Sequence, residues 1–435
     1  MPGYVPRAMV MTPWGDAGTL RSRQLPPGRG RPREEVQQNQ RERLFAALVA
    51  VAADKEYDQV SVADLVEVSG VSSRSFYELF ADKEACFLAV IEEILGSGTE
   101  LAQQAIAAGP QDDTKGYRAV EIFVSLVAAQ PAAARLCLVT AFCAGEKPRA
   151  RIDQALEEYS ALLQQALEGI PGHSGLGGDL VSAILGGIAV VLYDRLAERK
   201  YEEVRELAPS LRAWALSIPP PPAPLRPKTR RRRPSEAAMP SNAAYIPIER
   251  VIRSFASVIA EKEYGAATVA DVVATAHISQ ATFYKHFRDK RDAFSAALES
   301  SGAQMVAATV PAVRRHGKWP GALRVALEAV CGFLAAEHDF AELREVEAYA
   351  VGPAAVKERD RARNEIIRGL AALTPPEERL APLPVEAALG AYQALLFKRV
   401  REHRWEALAD VPPLVTYLVL APIVGAQPAW ELAVA

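Results

Sequence analysis

Two short segments of this chain place hydroxyl, amide and basic side chains opposite a pair of phenylalanines spaced four residues apart. The pairs are Phe76 with Phe80 and Phe283 with Phe287, which share one face of a helix and are expected to pack inward. The other positions then face solvent, with groups that can contact base edges and phosphates. The candidate contacts are Ser73, Arg74, Ser75 and Tyr77 in the first segment, and Gln280, Ala281, Thr282, Tyr284, Lys285 and His286 in the second.

A basic stretch precedes each segment along the chain. Residues 21–33 contain five arginines and no acid, and residues 226–233 contain six basic residues. Such stretches attract phosphates whatever the base sequence, so Arg231 and Arg232 are candidate DNA contacts. Arg29 and Arg31 lie in the sequence Gly-Arg-Gly-Arg-Pro. This sequence resembles an AT-hook core, whose arginines enter a narrow A·T minor groove.

Other chemistries find little support in the residue pattern. The six histidines are scattered away from any nucleophile, and no glycine-rich phosphate loop follows a strand. The four cysteines lack zinc spacing and lie within apolar helical patterns, so we interpret them as buried thiols; they are Cys86, Cys137, Cys143 and Cys331. We therefore expect no catalysis, no bound metal and no cofactor.

The elements that position the candidate contacts belong to an internal repeat. Residues 43–91 and 250–298 align without gaps at an offset of about 207, with about 18 of 49 positions identical. Each copy predicts three helices, the last two joined by a tight turn as in a helix-turn-helix. Ser61 and Thr268 are predicted to begin the second helix through a capping box, and we also include them among the DNA contacts. Lys83 and Lys290 follow an aspartate cap and are placed to meet a phosphate.

Residues 71–83 and 278–290 resemble the signature of the tetracycline-repressor (TetR) family of bacterial regulators. The resemblance covers the cap, the turn, the recognition helix and the following lysine, and it occurs twice. It implies an all-α fold in which a three-helix DNA-binding head is followed by a helical body that binds a small molecule and dimerises. By the same analogy, an effector bound in a body would weaken binding to a double-stranded DNA operator, so repression is the expected sign.

The repetition continues beyond the heads, so each half of the chain is predicted to be a complete unit of this kind. The sequence Leu-Gly at residues 185–186 corresponds to Leu-Gly at residues 389–390. The predicted domains are a disordered basic arm (1–33), a first DNA-binding domain (34–94), a first helical regulatory domain (95–217), a Pro/Arg-rich linker (218–242), a second DNA-binding domain (243–302) and a second helical regulatory domain (303–435).

Two arrangements of these halves are compatible with the sequence. The helices at residues 180–200 and 385–404, with the helices that follow them, form the dimer interface by family resemblance. An exposed proline-rich linker, which spans about 3.1 Å per residue, would allow the halves to pair within one chain. We expect this intramolecular pseudo-dimer to read two unlike half-sites, because a symmetric homodimer reads a palindrome. The alternative is a homodimer of whole chains.

The two copies are not equal in charge. Residues 226–294 contain 13 basic and 7 acidic residues, a balance of +6, whereas residues 21–87 contain 10 and 11, a balance of −1. Before its last phenylalanine the second copy has His286, but the first has Leu79, which cannot contact a phosphate. We therefore expect the second head to bind DNA more strongly.

The composition is that of a soluble globular protein with a net charge of only −3. Since no run of some 18 apolar residues lacks charges, we expect no membrane span. The first twenty residues lack a signal-peptide pattern, so we expect a cytoplasmic protein associated with the nucleoid. A non-catalytic helical scaffold with degenerate heads is the alternative to a DNA-binding regulator.

Overall fold

A computed structural model of the chain describes residues 10–25, 32–108, 115–168, 175–226, 248–376, 379 and 381–435. The described residues are almost entirely helical, which confirms the all-α class. They include two strands of two residues each, β1 (Met11–Thr12) and β2 (Gly15–Asp16), which pair antiparallel.

The first half of the chain folds into helices that alternate between long rods and short connecting turns. A π-helical segment, Leu136–Thr140, joins two of them. The helices are α1 (Arg33–Asp54), α2 (Val62–Ser69), α3 (Ser73–Leu79), α4 (Lys83–Ala108), α5 (Lys115–Ala129), α6 (Pro131–Arg135), α7 (Ala141–Cys143), α8 (Glu146–Glu168), α9 (Gly178–Ala197) and α10 (Tyr201–Leu216).

The second half follows the same order. It contains a π-helical segment, Glu342–Glu347, at the place that corresponds to the first. The helices are α11 (Ile248–Ala266), α12 (Val269–Ala276), α13 (Gln280–His286), α14 (Lys290–His316), α15 (Gly321–Ala336), α16 (His338–Ala341), α17 (Ala348–Val351), α18 (Pro353–Ala371), α19 (Pro382–Arg401), α20 (Val411–Val424) and α21 (Ala426–Val434).

Each head consists of three helices, α1–α3 and α11–α13, whose second member begins with the predicted capping box. The Ser61 hydroxyl accepts from the Asp64 amide, and the Asp64 carboxylate accepts from the Ser61 amide at 2.9 Å. Thr268 and Asp271 make the same pair of bonds. Both capping boxes are thus confirmed. They satisfy amides that the first turn of a helix leaves unpaired.

The predicted phenylalanine pairs are buried in both heads. Phe76 and Phe283 are fully buried, and Phe80 and Phe287 are nearly so. Their rings pack tilted against each other, with centroids 5.8 Å apart in the first head and 5.3 Å apart in the second. This packing fixes the rotation of α3 and α13 about their axes and so determines which side chains face outward.

The N-terminal segment is folded where the structure describes it, which corrects the expectation of a disordered arm over residues 1–33. The Trp14 ring lies 5.1 Å from that of Phe45, and Leu20 is fully buried. Arg21 Nε donates to the Glu67 carbonyl near the end of α2 at 2.9 Å. Apolar anchors and a bond to a helix carbonyl therefore hold this segment on the first head.

Contacts divide the chain into two compact units. One comprises Met1–Ile170 with Leu192–Arg212, and the other comprises Pro171–Val191 with Ala213–Ala435. Most of α9 therefore belongs to the same compact unit as the whole second half of the sequence. The sequence repeat places α9 in the first half, whereas the fold places most of α9 in the second compact unit.

Within the second unit, α9 crosses α19 at a point where both helices carry glycine. A Cβ atom on Gly187 would lie within 3 Å of the Ala387 carbonyl oxygen, and one on Gly390 within 3 Å of the Gly187 carbonyl oxygen. Only glycine allows two backbones to approach this closely. Arg399 Nη2 also donates to Asp179 Oδ1 at 3.2 Å.

The first residues of the predicted linker are packed rather than exposed. Ile218 is fully buried and Leu225 is buried. The Tyr417 hydroxyl donates to the Pro219 carbonyl at 2.9 Å, and Trp430 Nε1 donates to the Pro224 carbonyl at 3.4 Å. The expectation of an exposed linker from residue 218 is therefore wrong for residues 218–226, because the aliphatic side chains find an apolar surface there.

Among the described residues, two helical stretches are long and apolar enough to cross a membrane by length and composition, Gly178–Ala197 and Trp405–Val424. A third would count if the pair Arg118–Ala129 and Pro131–Cys143, bent by 103°, formed one span. In the fold, 67 % and 61 % of the two apolar windows are buried. By length and composition these helices run against the expectation of no membrane span, although most of each apolar window is buried inside the protein.

Candidate nucleic-acid interface

The third helix of each head is capped by a hydroxyl residue and presents an aromatic hydroxyl to solvent. Ser72 Oγ accepts from the Ser75 amide, and Ser279 Oγ accepts from the Thr282 amide, both at 3.1 Å. Tyr77 is 60 % exposed and Tyr284 is 55 % exposed. Both are among the most exposed large hydrophobic side chains in the described part of the chain, which is where a groove contact would need them.

The structure brings the predicted contact residues onto the solvent side of these helices. Ser73, Arg74 and Tyr77 are exposed in the first head, with Ser75 half-buried beside the cap. The second head exposes a larger set and again half-buries the residue beside the cap, Thr282; the exposed residues are Gln280, Ala281, Tyr284, Lys285 and His286. Since each set lies opposite the buried phenylalanines, its members can reach one surface together.

The two faces differ in charge at corresponding positions. In the first head, Arg74 Nε donates to Glu78 Oε1 at 3.0 Å, so this arginine is partly neutralised by an acid on the same face. In the second head the position of Glu78 is occupied by Lys285, and that of Leu79 by His286. Like charges repel and unlike charges attract across water. The second face is therefore much the better suited to a polyanion.

Lys83 and Lys290 are placed differently from the expected phosphate contact. Lys83 Nζ donates to the carbonyls of Tyr57 and Val60 at 2.8 and 2.9 Å. Lys290 Nζ donates to those of Tyr264 and Ala267 at 2.7 and 2.9 Å. Each ammonium also lies about 4 Å from a tyrosine ring centroid, and its burial lowers the pKa of both lysines. They brace the loop between the first two helices.

The cap hydroxyls of Ser61 and Thr268 are also engaged within the protein. Each donates to the aspartate of its own capping box, at 2.8 and 2.7 Å. Lys262 Nζ donates to the same carboxylate of Asp271 at 2.6 Å. The bonds from Lys262 and Thr268 lower the pKa of Asp271 to about 2. A DNA contact by either cap hydroxyl remains a prediction.

The candidate residues of the basic arms are Arg29, Arg31, Arg231 and Arg232, and all four lie outside the described residues. Among the residues that the structure does describe, no group of three or more His, Cys, Asp or Glu side chains could hold a metal ion. Cys86, Cys137 and Cys331 are buried, as interpreted, and Cys143 is half-buried.

Sequence reasoning missed a cluster of buried charges in the second body. Arg344 and Arg359 are almost fully buried beside Glu345, and they line a cavity of about 310 Å³. The sequence signal was the dense alternation of charge at residues 357–363, which reads as a solvated helix face. Only the packing of α18 against α14 turns part of that face inward.

Two exposed, hydroxyl-capped helices on three-helix heads, each head followed by a helical body, define a two-headed protein of the helix-turn-helix class. Residues 44–90 and 254–297 both match the model of the bacterial regulatory proteins of the tetR family. The chain therefore has a tandem TetR-family arrangement, as its sequence indicated.

A relative supports the same assignment. Over 97 residues, 21 % of this chain, the sequence is 34 % identical to the HTH-type transcriptional regulator EthR of Mycolicibacterium smegmatis (strain ATCC 700084 / mc(2)155). The match spans 44 % of that protein. Because this is less than half of the relative's length, the match carries over the family and not the activity or partners of the whole protein.

Proposed function

We propose that the chain is a DNA-binding transcriptional regulator that acts in the cytoplasm and reads two unlike half-sites with one polypeptide. The observation that carries this proposal is the exposed tyrosine on a capped, phenylalanine-anchored helix, present twice with different neighbours. The ring and hydroxyl stand at the same exposed place in both copies, where a contact in a groove would need them. A duplex groove is the partner that a helix of this kind fits.

The second head supplies the stronger contact in this proposal. Lys285 and His286 add donors beside Tyr284, whereas Glu78 repels phosphates and competes for Arg74. Among the arm arginines, Arg29 and Arg31 would favour A·T-rich sites through the minor groove, and Arg231 and Arg232 would add sequence-neutral affinity at phosphates.

A pseudo-dimer within one chain is supported by the crossing of α9 and α19. The two helices come from different halves of the sequence, they carry corresponding glycines, Gly186 and Gly390, and they pack within one compact unit. Helices that pair two chains in a homodimer would thus pair two halves of one chain here. The operator that follows from this arrangement is asymmetric.

Repression relieved by a small-molecule effector is the mode of action that we propose. An effector that binds better to one arrangement of the heads shifts the population toward that arrangement. The coupling is reciprocal: the effector changes the binding free energy of DNA by the amount that DNA changes the binding free energy of the effector. A ligand that favours a separation of heads unlike that of the operator would release the DNA.

The test is selection of random duplexes by the full-length chain at two salt concentrations, followed by sequencing. We expect one enriched site with two unlike halves, of which the half read by α13 is the better defined. A palindrome would contradict pairing within the chain. A lack of enrichment at both salt concentrations would overturn the proposed function and favour a scaffold with degenerate heads. Light scattering on the same sample should give a mass near 47.0 kDa, that of one chain.

A further inference from the structure

The second body contains a partly open cavity of about 310 Å³ whose wall is mostly apolar. Helices α15, α18 and α19 supply the wall, with Leu323, Leu327, Ile366 and Leu370 among the lining residues. This volume lies at the small end of the range for small-molecule sites, which are lined by apolar side chains with a few polar groups that orient the ligand. The apolar wall therefore favours a ligand with a hydrocarbon part at one end.

One side of the cavity carries a connected cluster of charges. Arg359 Nε and Nη2 donate to Asp360 Oδ1 at 2.9 and 2.7 Å, and Arg363 Nη2 donates to Asp360 Oδ2 at 2.9 Å. Arg344 and Glu345 complete the cluster, with Arg344 Nε 3.9 Å from Glu345 Oε1. Within the cluster three arginines face two carboxylates, and the exposed Arg379 also lines the cavity, so positive charge is in excess. A buried surplus charge is costly unless an anion balances it.

The lining also includes N–H groups that have no acceptor among the described residues. They belong to Arg344 Nε, Arg359 Nη1, Arg363 Nε and Trp319 Nε1. All of them are donors, and buried donors in folded proteins are nearly always paired. A ligand that completes this site must therefore accept hydrogen bonds and offer none in return. Burial lowers the pKa of Arg344, as expected for a guanidinium with incomplete compensation.

We propose that this cavity binds an apolar monocarboxylate, with its carboxylate at Arg363 and Arg344 and its hydrocarbon part against the leucine and isoleucine wall. The proposal rests on the proposed function in that this ligand would be the effector. A carboxylate supplies negative charge where the lining has positive charge in excess. The planar carboxylate matches the fork of a guanidinium better than a point charge would.

The same cluster is connected to the second head. Arg344 and Glu345 lie in the π-helical segment Glu342–Glu347, and such segments are frequent at functional sites. Glu347 Oε2 in this segment accepts from the Tyr264 amide at 2.7 Å. The Tyr264 carbonyl accepts from Lys290, four residues beyond α13. A ligand that draws Arg344 toward the cavity would therefore pull on the loop that Lys290 braces.

The bond from the π-helical segment to the loop amide is specific to the second half, whereas in the first half Arg135 donates to Glu56 Oε1 at 3.4 Å. Thr140 occupies the position that corresponds to Glu347, and Glu56 the position that corresponds to Glu263. Glu263 has φ 62° and ψ 156°, a conformation that residues other than glycine rarely adopt, whereas Glu56 has φ −72°. Strain at the residue before Tyr264 makes this loop the place where a small shift has a large effect. The ligand would thus act first on the stronger head.

The test is titration calorimetry of the full-length chain with hexanoate, octanoate and decanoate, and with hexanol, octanol and decanol as neutral probes of the same length. We expect the best carboxylate to bind at least about tenfold more tightly than its alcohol, as a charge-assisted bond contributes. Arg363→Gln should reduce that preference to about threefold or less. Arg361→Gln is the matched control: its side chain lies on the same helix but is 79 % exposed, and the preference should remain.

Ala326→Phe, which fills the cavity from α15, provides a second variant that should abolish binding of both probe classes. Equal binding of carboxylates and alcohols, or carboxylate binding that survives Ala326→Phe, would overturn the proposal. DNA selection with the same preparations separates the two inferences. A selected DNA site together with no carboxylate binding overturns the cavity assignment alone. Carboxylate binding, lost in Ala326→Phe, together with no selected DNA supports the cavity and overturns the regulator.

Discussion

The charge contrast between Glu78 and Lys285 is the sharpest difference between the two heads at the level of single residues. Because both occupy the same exposed position on the third helix of a head, reversing one charge should change the electrostatic field at a bound duplex without changing the fold. We expect Lys285→Glu to weaken binding to the selected site by at least about tenfold. The slope of log K against log salt should become shallower by about one, the amount that corresponds to one lost phosphate contact. Filter binding at several salt concentrations measures both.

The reciprocal change, Glu78→Lys, should strengthen binding, because it removes a repulsion and frees Arg74 from its ion pair. Lys318→Glu makes the same charge reversal at an exposed position in the second body and should leave affinity within about twofold of the unchanged chain, since screening is nearly complete beyond about 10 Å. If Lys318→Glu weakened binding as much as Lys285→Glu did, net charge would explain the effect and not the recognition face.

Lys290 makes its contribution inside the protein. Replacing it with methionine keeps the aliphatic stem but leaves the carbonyls of Tyr264 and Ala267 without their donor. We expect Lys290→Met to lower the free energy of unfolding by about 1–3 kcal/mol, the range for leaving partly buried polar groups unpaired. Urea denaturation measures this change. An unchanged midpoint combined with weaker DNA binding would restore the phosphate contact that the sequence predicted.

Asp271 makes the stability of the second head sensitive to acid. Its pKa is lowered to about 2 by bonds from Lys262 and Thr268, so the folded state holds a proton less tightly than the unfolded chain does. The stabilisation is complete above the unfolded value near 4 and is lost as pH falls toward 2. We expect Asp271→Asn to destabilise the protein at pH 7 and to flatten the loss of stability between about pH 4 and 2. The exposed Asp339→Asn should do neither; urea midpoints across this range provide the comparison.

At the level of elements, the sequence predicted well those features that are determined by a few adjacent residues. A serine or threonine three residues before an aspartate gave both capping boxes, and phenylalanines four apart gave the buried face of α3 and α13. The hairpin at Met11–Asp16 was missed because its stability comes from Trp14 against Phe45. The π-helical segments and the Arg344 cluster were missed for the same reason, since distant side chains decide them.

The crossing of α9 and α19 is the element that we expect to tolerate least change. A methyl group at Gly187 would collide with the Ala387 carbonyl oxygen and with Trp214, so Gly187→Ala must separate the helices. We expect a loss of about 1–3 kcal/mol in the free energy of unfolding, as for other overpacked sites. Gly332→Ala on α15 is the matched control, because nothing lies within 4 Å of its added Cβ. There the higher helix propensity of alanine should stabilise by up to about 1 kcal/mol.

Urea denaturation of the two glycine variants measures the difference directly. Equal midpoints would mean that α9 and α19 separate without cost, and the pseudo-dimer would lose its main structural support.

For the whole molecule, the sequence repeat and the compact units give different divisions. The repeat indicates a cut near residue 242, but residues 175–191 of the first half pack in the second unit. The sequence could not predict this packing, because the apolar pattern of a helix is the same whether the helix packs on its own half or on the other. One long-range contact of this kind, Arg399 with Asp179, joins residues 220 positions apart.

Separating the halves should therefore change the state of association. A fragment of residues 243–435 keeps α19 but loses α9, so the apolar and glycine face of α19 is left without its partner. We expect this fragment to pair through α19 with a second copy of itself and to bind a palindrome built from the half-site of α13. Light scattering should give a mass of two fragments. Coexpression with residues 1–242 should instead restore a complex with the mass of one chain, because α9 carries a complementary charge at Asp179 for Arg399. A folded, monomeric fragment would show that the second half needs neither α9 nor a copy of itself, and the single-chain pseudo-dimer would then have no basis.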